Sequence, residues 1–236
     1  MSTALVTGAG QGLGRAIAIR LAADGHRVVA VDIDETRAVQ TAATVGGSGH
    51  RCDVGDREAV QVLADEVGPV DILINNAGIW RFGPVLEASA TDLDDVLRVN
   101  LLGTVNCCQA FAPGMVGGAI VNLSSAAASM RSPGVGIYPA AKGAIEVLTM
   151  QLAGELGPRG IRVNAIAPGL IMTEGTSANY SGGRQDERAS AVPLRRVGDP
   201  ADIANVVSFL VSDQAAYVSG QVIAVDGGLT AVRPSA

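Results

Sequence analysis

Short runs of aliphatic and β-branched residues recur along the chain at positions 4–6, 28–31, 71–74, 119–123, 161–166 and 222–225, with a weaker seventh at 50–52. Most are apolar throughout rather than alternating with polar residues. That is the pattern of parallel strands covered on both faces. Between them, apolar residues return at helical spacing, as in Leu13, Ala16, Ile17 and Leu21, or Ala59, Val62 and Leu63. Strand, helix, strand repeated in this way predicts an α/β fold. The expectation is a Rossmann-type doubly wound sheet of about seven parallel strands with helices on both faces. No linker-like stretch interrupts the alternation, so residues 1–236 read as a single domain. One long irregular segment, about 174–193, holds Ser181-Gly182-Gly183 and charges of both signs. A loop that long inside a compact domain predicts a mobile flap over a binding site.

Composition narrows the function classes. A chain of 236 residues, 48 % of them hydrophobic, is large enough to bury a full core. A net charge of −6 without a Lys/Arg run argues against nucleic-acid binding. No apolar stretch reaches the roughly 18 residues a spanning helix needs. The start, Met1 to Gly8, enters a strand-like run with no basic segment, so no signal peptide is expected. Cys52, Cys107 and Cys108 are odd in number and form no Cys-x-x-Cys, and the only histidines are His26 and His50. A metal site is therefore not expected, and the cysteines read as small buried hydrophobes in a reducing cytoplasm.

Directly after the first strand comes Thr7-Gly8-Ala9-Gly10-Gln11-Gly12-Leu13-Gly14, leading into a helix. Gly8 permits a tight turn, Gly12 a close approach of backbone to a pyrophosphate, and Gly14 close packing of helix on sheet. The helix N-terminus then presents free N–H groups and a positive dipole end to phosphates. At the end of the second strand, 18 residues past Gly14, stands Asp32. Its carboxylate can accept from both ribose hydroxyls of an adenosine and would repel a 2′-phosphate. Ile33 follows it, and Gln11 rather than a cation precedes Gly12. The cofactor expected is NAD rather than NADP, although Arg15 and Arg37 are near in sequence and leave NADP as the lesser alternative.

With these residues in view, the chain resembles the classical short-chain dehydrogenase/reductase family over nearly its whole length. The resemblance rests on the glycine spacing, Cys52-Asp53-Val54, Asn75-Asn76-Ala77-Gly78, Asn100, Ser124-Ser125, Tyr138-x-x-x-Lys142, Pro168-Gly169 and Asp226-Gly227-Gly228, in that order. Tyr138 and Lys142, four apart, share one face of a helix. An adjacent ammonium favours phenolate and is expected to lower the phenol pKa from about 10, so that Tyr138 exchanges a proton with a substrate oxygen. Ser125 would position the same oxygen. The resemblance further implies that Lys142 binds the nicotinamide ribose and that Asn100 holds a proton-relaying water. It implies that Gly8, Gln11, Gly12, Leu13, Gly14, Asp32, Ile33, Asp53, Val54, Asn76, Ala77, Gly78, Tyr138, Lys142, Pro168, Gly169, Ile171 and Thr173 hold the cofactor. It also implies a homotetramer, or a dimer, through the helices at 92–111 and 143–156.

Two departures stand out. Pro139-Ala140-Ala141 replaces the usual small residue plus serine, which a first helical turn tolerates, and Ala128 stands where relatives often carry glycine. The function expected is NAD(H)-dependent interconversion of a secondary alcohol and a ketone, the partner being a small molecule. A 3-oxoacyl-[acyl-carrier-protein] reductase using NADPH is the nearest alternative. Asp32, the absence of basic residues in 113–118 and the negative net charge oppose it, while Arg131, Arg195 and Arg196 would favour it if clustered. A non-catalytic NAD-binding protein would be expected to have lost Tyr138, Lys142 or Ser125. Substrate selectivity is expected from 79–82, 126–134 and the flap, with Trp80 either a pocket wall or packing under its loop.

Overall fold

The computed structural model describes residues 1–130, 132–180 and 183–231. Seven strands form one parallel sheet: β1 (Thr3–Thr7), β2 (Arg27–Asp32), β3 (Ser48–Arg51), β4 (Ile72–Asn75), β5 (Gly118–Leu123), β6 (Ile161–Pro168) and β7 (Val222–Val225). Their order is β3-β2-β1-β4-β5-β6-β7, so the winding reverses between β1 and β4. In such sheets the crevice beyond the carboxyl ends at that reversal is where ligands bind.

Successive residues of each strand feed opposite layers, which is why the runs are apolar throughout. Ala4, Val6, Val28 and Ile74 pack with residues of α1 (Gly12–Ala23), α2 (Glu35–Val45) and α9 (Pro200–Val211). Leu5, Val29, Leu73 and Ile120 face α3 (Arg57–Val67), α5 (Gly103–Phe111) and α7 (Tyr138–Leu156). Leu5, Leu73 and Ile120 are fully buried, each stabilising the fold by about 1.5–3 kcal/mol of transfer free energy. The three cysteines are buried and unpaired, and burial pushes the Cys52 thiol up to about 11 and Cys108 to about 12.

Three elements differ from the sequence pattern. The weak third strand lies two residues earlier than its apolar residues imply, at Ser48–Arg51. The long helix expected over 92–111 is divided into α4 (Ala90–Leu97), a π-helical turn at Arg98–Leu102, and α5. The irregular segment 174–193 holds a 3-10 turn at Glu174–Tyr180 and α8 (Arg184–Ala191), which follow the four-residue α6 (Ala127–Met130) and α7. Helix α8 buries none of its residues fully, so no apolar stripe announced it; Ser181 and Gly182 of this segment lie outside the described residues.

Candidate active site

The helices α2, α3 and α9 begin at Asp34, Asp56 and Asp199, whose side chains accept backbone N–H groups of the first turn. Helix α1 differs: Gln11 stands at its N-cap and its side chain caps nothing. That amide oxygen instead accepts from Arg37 Nη1 at 2.5 Å. The first turn of α1 therefore points N–H groups and the positive dipole end at the crevice, which suits a pyrophosphate. The loop is pressed close to the sheet. A Cβ on Gly14 would stand 2.1 Å from the Gly8 carbonyl oxygen, and Gly8 itself is left-handed at φ +62°. Thr7 Oγ1 accepts the Asn76 and Ala77 N–H groups, each at 3.0 Å, while Asn76 Nδ2 donates to the Thr7 and Gly8 carbonyls at 2.8 and 3.1 Å. The end of β4 thus braces the glycine loop.

Asp32 sits at the end of β2 with Oδ2 accepting Gly10 N–H at 2.8 Å and Oδ1 accepting Asp34 N–H at 3.0 Å. The first bond fixes the carboxylate against the glycine loop, and the second ties it to the chain entering α2. Gly10 was not among the residues singled out by spacing, yet a Cβ there would lie 2.7 Å from Asp32 Oδ2. Asp53 is held from both sides, by Gly55 N–H at 2.9 Å and by Arg98 Nη1 at 2.8 Å. Nothing local in the sequence marks Arg98, because its partner is 45 residues away.

On the other side of the reversal, β5 ends at Leu123 and delivers Ser124 and Ser125, while α7 opens at Tyr138 with Pro139 in its first turn. The proline is accommodated there because a first-turn N–H has no intrahelical partner. Burial holds the Tyr138 phenol above its usual range, and a hydrogen bond with Ser125 partly offsets this. Lys142 is buried; its Nζ donates to the Leu123 carbonyl at 2.7 Å and lies 5.7 Å from the centre of the Tyr138 ring. Burial lowers the Lys142 ammonium to about 8. The expected lowering of the phenol by an adjacent ammonium is thus reversed in the protein alone: desolvation acts on both groups and dominates.

Asn100 lies in the π-helical turn, fully buried, donating from Nδ2 to the Ile79 and Val96 carbonyls at 2.7 and 2.9 Å. Its Oδ1 has no partner among the described residues. A Cβ on Gly78 would stand 2.6 Å from that oxygen and 3.4 Å from Lys142 Nζ, so the glycine keeps the space between them open. Ser124, by contrast, donates to Glu146 Oε1 at 2.7 Å and to the Lys142 carbonyl, a bracing role. Asn75 likewise bridges β4 to Asn122 of β5 at 2.8 Å.

One cleft of about 500 Å³ runs past all these groups. It is lined by every residue singled out for the cofactor or the chemistry except Gly14, which is packed beneath the loop, and Asn100, which sits behind Gly78. Pro168, Gly169, Ile171 and Thr173 form one wall, with Thr173 3.4 Å from where a Gly12 Cβ would be. Ile79, Trp80 and Phe82 form another, so Trp80 is a wall residue, whereas Arg81 turns away to Asp92 at 3.2 Å. Asp226 accepts from Gly228 N–H and from the backbone and hydroxyl of Thr230, which makes the Asp226-Gly227-Gly228 motif a turn brace. Of the three candidate basic residues, Arg196 pairs with Asp202 and Arg195 donates to the Ser190 carbonyl. Arg131 lies outside the described residues.

An uncapped helix behind a glycine loop, an acid at the end of the second strand, and Tyr138 and Ser125 beside the buried Lys142 across the sheet reversal are the arrangement expected of a dinucleotide-binding fold. A family model described as enoyl-(acyl carrier protein) reductase matches residues 8–230. A 3-oxoacyl-[acyl-carrier-protein] reductase, FabG, of Staphylococcus epidermidis is 40 % identical over 240 residues, covering 96 % of this chain and 98 % of the relative. D-threitol dehydrogenase of Mycolicibacterium smegmatis is 41 % identical over 239 residues, covering 96 % and 92 %. A structure from Agrobacterium tumefaciens, named as a candidate 2-deoxy-d-gluconate 3-dehydrogenase with bound NADP, superposes with a TM-score of 0.90 at 39 % identity, covering 98 % and 97 %. The chain belongs to the short-chain dehydrogenase/reductase family. It is an oxidoreductase acting on CH–OH groups with a nicotinamide nucleotide. Among the described residues no helix is long and apolar enough to cross a membrane.

Proposed function

We propose that this protein interconverts a small secondary alcohol and its ketone, using NAD(H), with Tyr138 as general acid and base. The observation that carries the reading is that Tyr138, Ser125 and the buried Lys142 line the same cleft as the glycine loop. The glycine loop, Asp32 and the Pro168–Thr173 wall would hold a nicotinamide nucleotide in that cleft, which would supply the hydride chemistry. Tyr138 gives its phenolic proton to the carbonyl oxygen in reduction and takes the carbinol proton in oxidation. Ser125 orients that oxygen. Lys142 and the free Asn100 Oδ1 face the gap left by Gly78, a place for a water that returns the proton toward bulk solvent.

The preference for NAD rests on Asp32. Its carboxylate is fixed by two backbone N–H groups at the ribose position, and Arg37 beside it is engaged by Gln11 and Asp34. The NADP named in the Agrobacterium structure supports the opposite preference, and turnover of one alcohol with each nucleotide decides between them. Following nicotinamide absorbance with a panel of alcohols and ketones, we expect turnover chiefly with NAD(H).

A second reading, reduction of a 3-oxoacyl group on a carrier protein, is favoured by the similarity to FabG. Turnover of an acetoacetyl thioester with NADPH, in preference to free ketones, would establish it. Exposed Leu102, Val147 and Met150 on the α5 and α7 side support a homo-oligomer, dimer or tetramer, which light scattering tests. Three buried free thiols fit a reducing cytoplasm.

A further inference from the structure

Past the end of β6 the chain builds a small platform. Tyr180 is buried, and its hydroxyl donates to the Ile171 carbonyl oxygen at 3.2 Å. The Arg188 guanidinium of α8 lies over that ring, 5.1 Å from its centre, and both side chains line the cleft shared by Ser125 and Tyr138. Arg188 is half-buried and forms no ion pair among the described residues. The flanking arginines do: Arg15 pairs with Glu174 and Arg196 with Asp202.

Four charged side chains line the cleft among the described residues: Asp32, Asp53, Lys142 and Arg188. The two acids follow β2 and β3, on the adenosine side of the sheet reversal. Lys142 is buried and bonded to Leu123. Arg188 is therefore the one accessible cation of the wall among the described residues, stacked on an aromatic face that limits its rotamers. A guanidinium so held and without a carboxylate is a receptor for an anion. The pyrophosphate belongs to the uncapped end of α1. Arg188 instead follows β6, beside the strand that delivers Ser125 and on the Tyr138 side of the reversal.

We propose that Arg188 binds an anionic group of the substrate itself, so that the substrate is a small secondary alcohol or ketone bearing a carboxylate or a phosphate. This rests on the oxidoreductase reading above and names the substrate class of that same site.

The test uses matched pairs on the full chain with NAD⁺: racemic 3-hydroxybutyrate against 1,3-butanediol for carboxylate, and glycerol 3-phosphate against glycerol for phosphate. The charged member of at least one pair is expected to lead in kcat/KM by on the order of ten- to a hundredfold, the range for a hydrogen bond to a charged group. Arg188→Gln should collapse that ratio, and Arg188→Lys should restore part of it. An equal ratio in the wild type, or a ratio untouched by Arg188→Gln, overturns the proposal. So does a rise confined to the KM for NAD⁺, which would assign the cation to the pyrophosphate. A binding arm separates this from failure of the parent reading. Butyrate or methyl phosphate added to the NADH complex should change nicotinamide fluorescence in the wild type and not in Arg188→Gln. No turnover on any alcohol or ketone would sink the catalytic reading, while the fluorescence result would still decide the anion site.

Discussion

The Lys142 ammonium donates to the Leu123 carbonyl oxygen at 2.7 Å, anchored to the end of β5 from within α7. That bond places a cation inside the protein, and burial brings it down from 10.5 to about 8. Between those values the unfolded chain binds more protons than the folded one, so stability rises with pH. The gain is complete above 10.5 and lost as pH falls to about 8. Denaturant unfolding of the wild type should show an increase of about 2 kcal/mol between pH 8 and 10 that Lys142→Met lacks. Parallel curves for the two proteins would refute the buried charge.

The Tyr138 phenol is held above its ordinary range by burial, so at neutral pH it carries its proton. Carbonyl reduction should then have a kcat/KM that is flat near neutrality and falls at high pH. Alcohol oxidation should climb as the phenol ionises. Tyr138→Phe should lower kcat in both directions by about 10²–10⁴-fold while NADH fluorescence still reports binding.

On the reading proposed above, Asp32 is expected to decide between the nucleotides. Asp32→Ser removes the charge that would face a 2′-phosphate and also the acceptor for Gly10 N–H. The NAD/NADP ratio of kcat/KM should fall by at least roughly tenfold, the equivalent of about 1.4 kcal/mol. An unchanged ratio would place the selector elsewhere.

Gly14 sets the approach of α1 to the sheet. With a Cβ only 2.1 Å from the Gly8 carbonyl oxygen, Gly14→Ala must displace the loop. The expected result is loss of nucleotide binding by calorimetry with a stability loss of about 1–3 kcal/mol from overpacking.

Asn100 is expected to act on the proton path rather than on binding. Its Oδ1 is the unpartnered atom, while Nδ2 ties the π-helical turn to Ile79 and Val96. Asn100→Asp keeps the side-chain shape but places a carboxyl beside Lys142. It should shift the pH profile of kcat with little change in substrate KM, as measured by steady-state rates across pH.

The strands, the glycine loop and Asp32 were legible in the sequence because each is a local signal. Apolar runs record burial on both faces, glycines record backbone that no Cβ can share, and an acid at a strand end is a matter of spacing. Tyr138 and Lys142 were legible as one helix face, and Pro139 did not obscure them because it falls in the first turn. What spacing could not decide was environment. The ammonium expected to ease ionisation of the phenol is itself desolvated, and only the packing of α7 on β5 shows that burial wins. Arg98 meets Asp53 across 45 residues, and Gly78 keeps open a space bounded by Asn100 and Lys142. Helix α8 carries no apolar stripe, so the placement of Arg188 over Tyr180 belongs wholly to the tertiary structure. Periodicity reports what a segment does to itself; charge, solvation and partners are set by what the fold brings beside it.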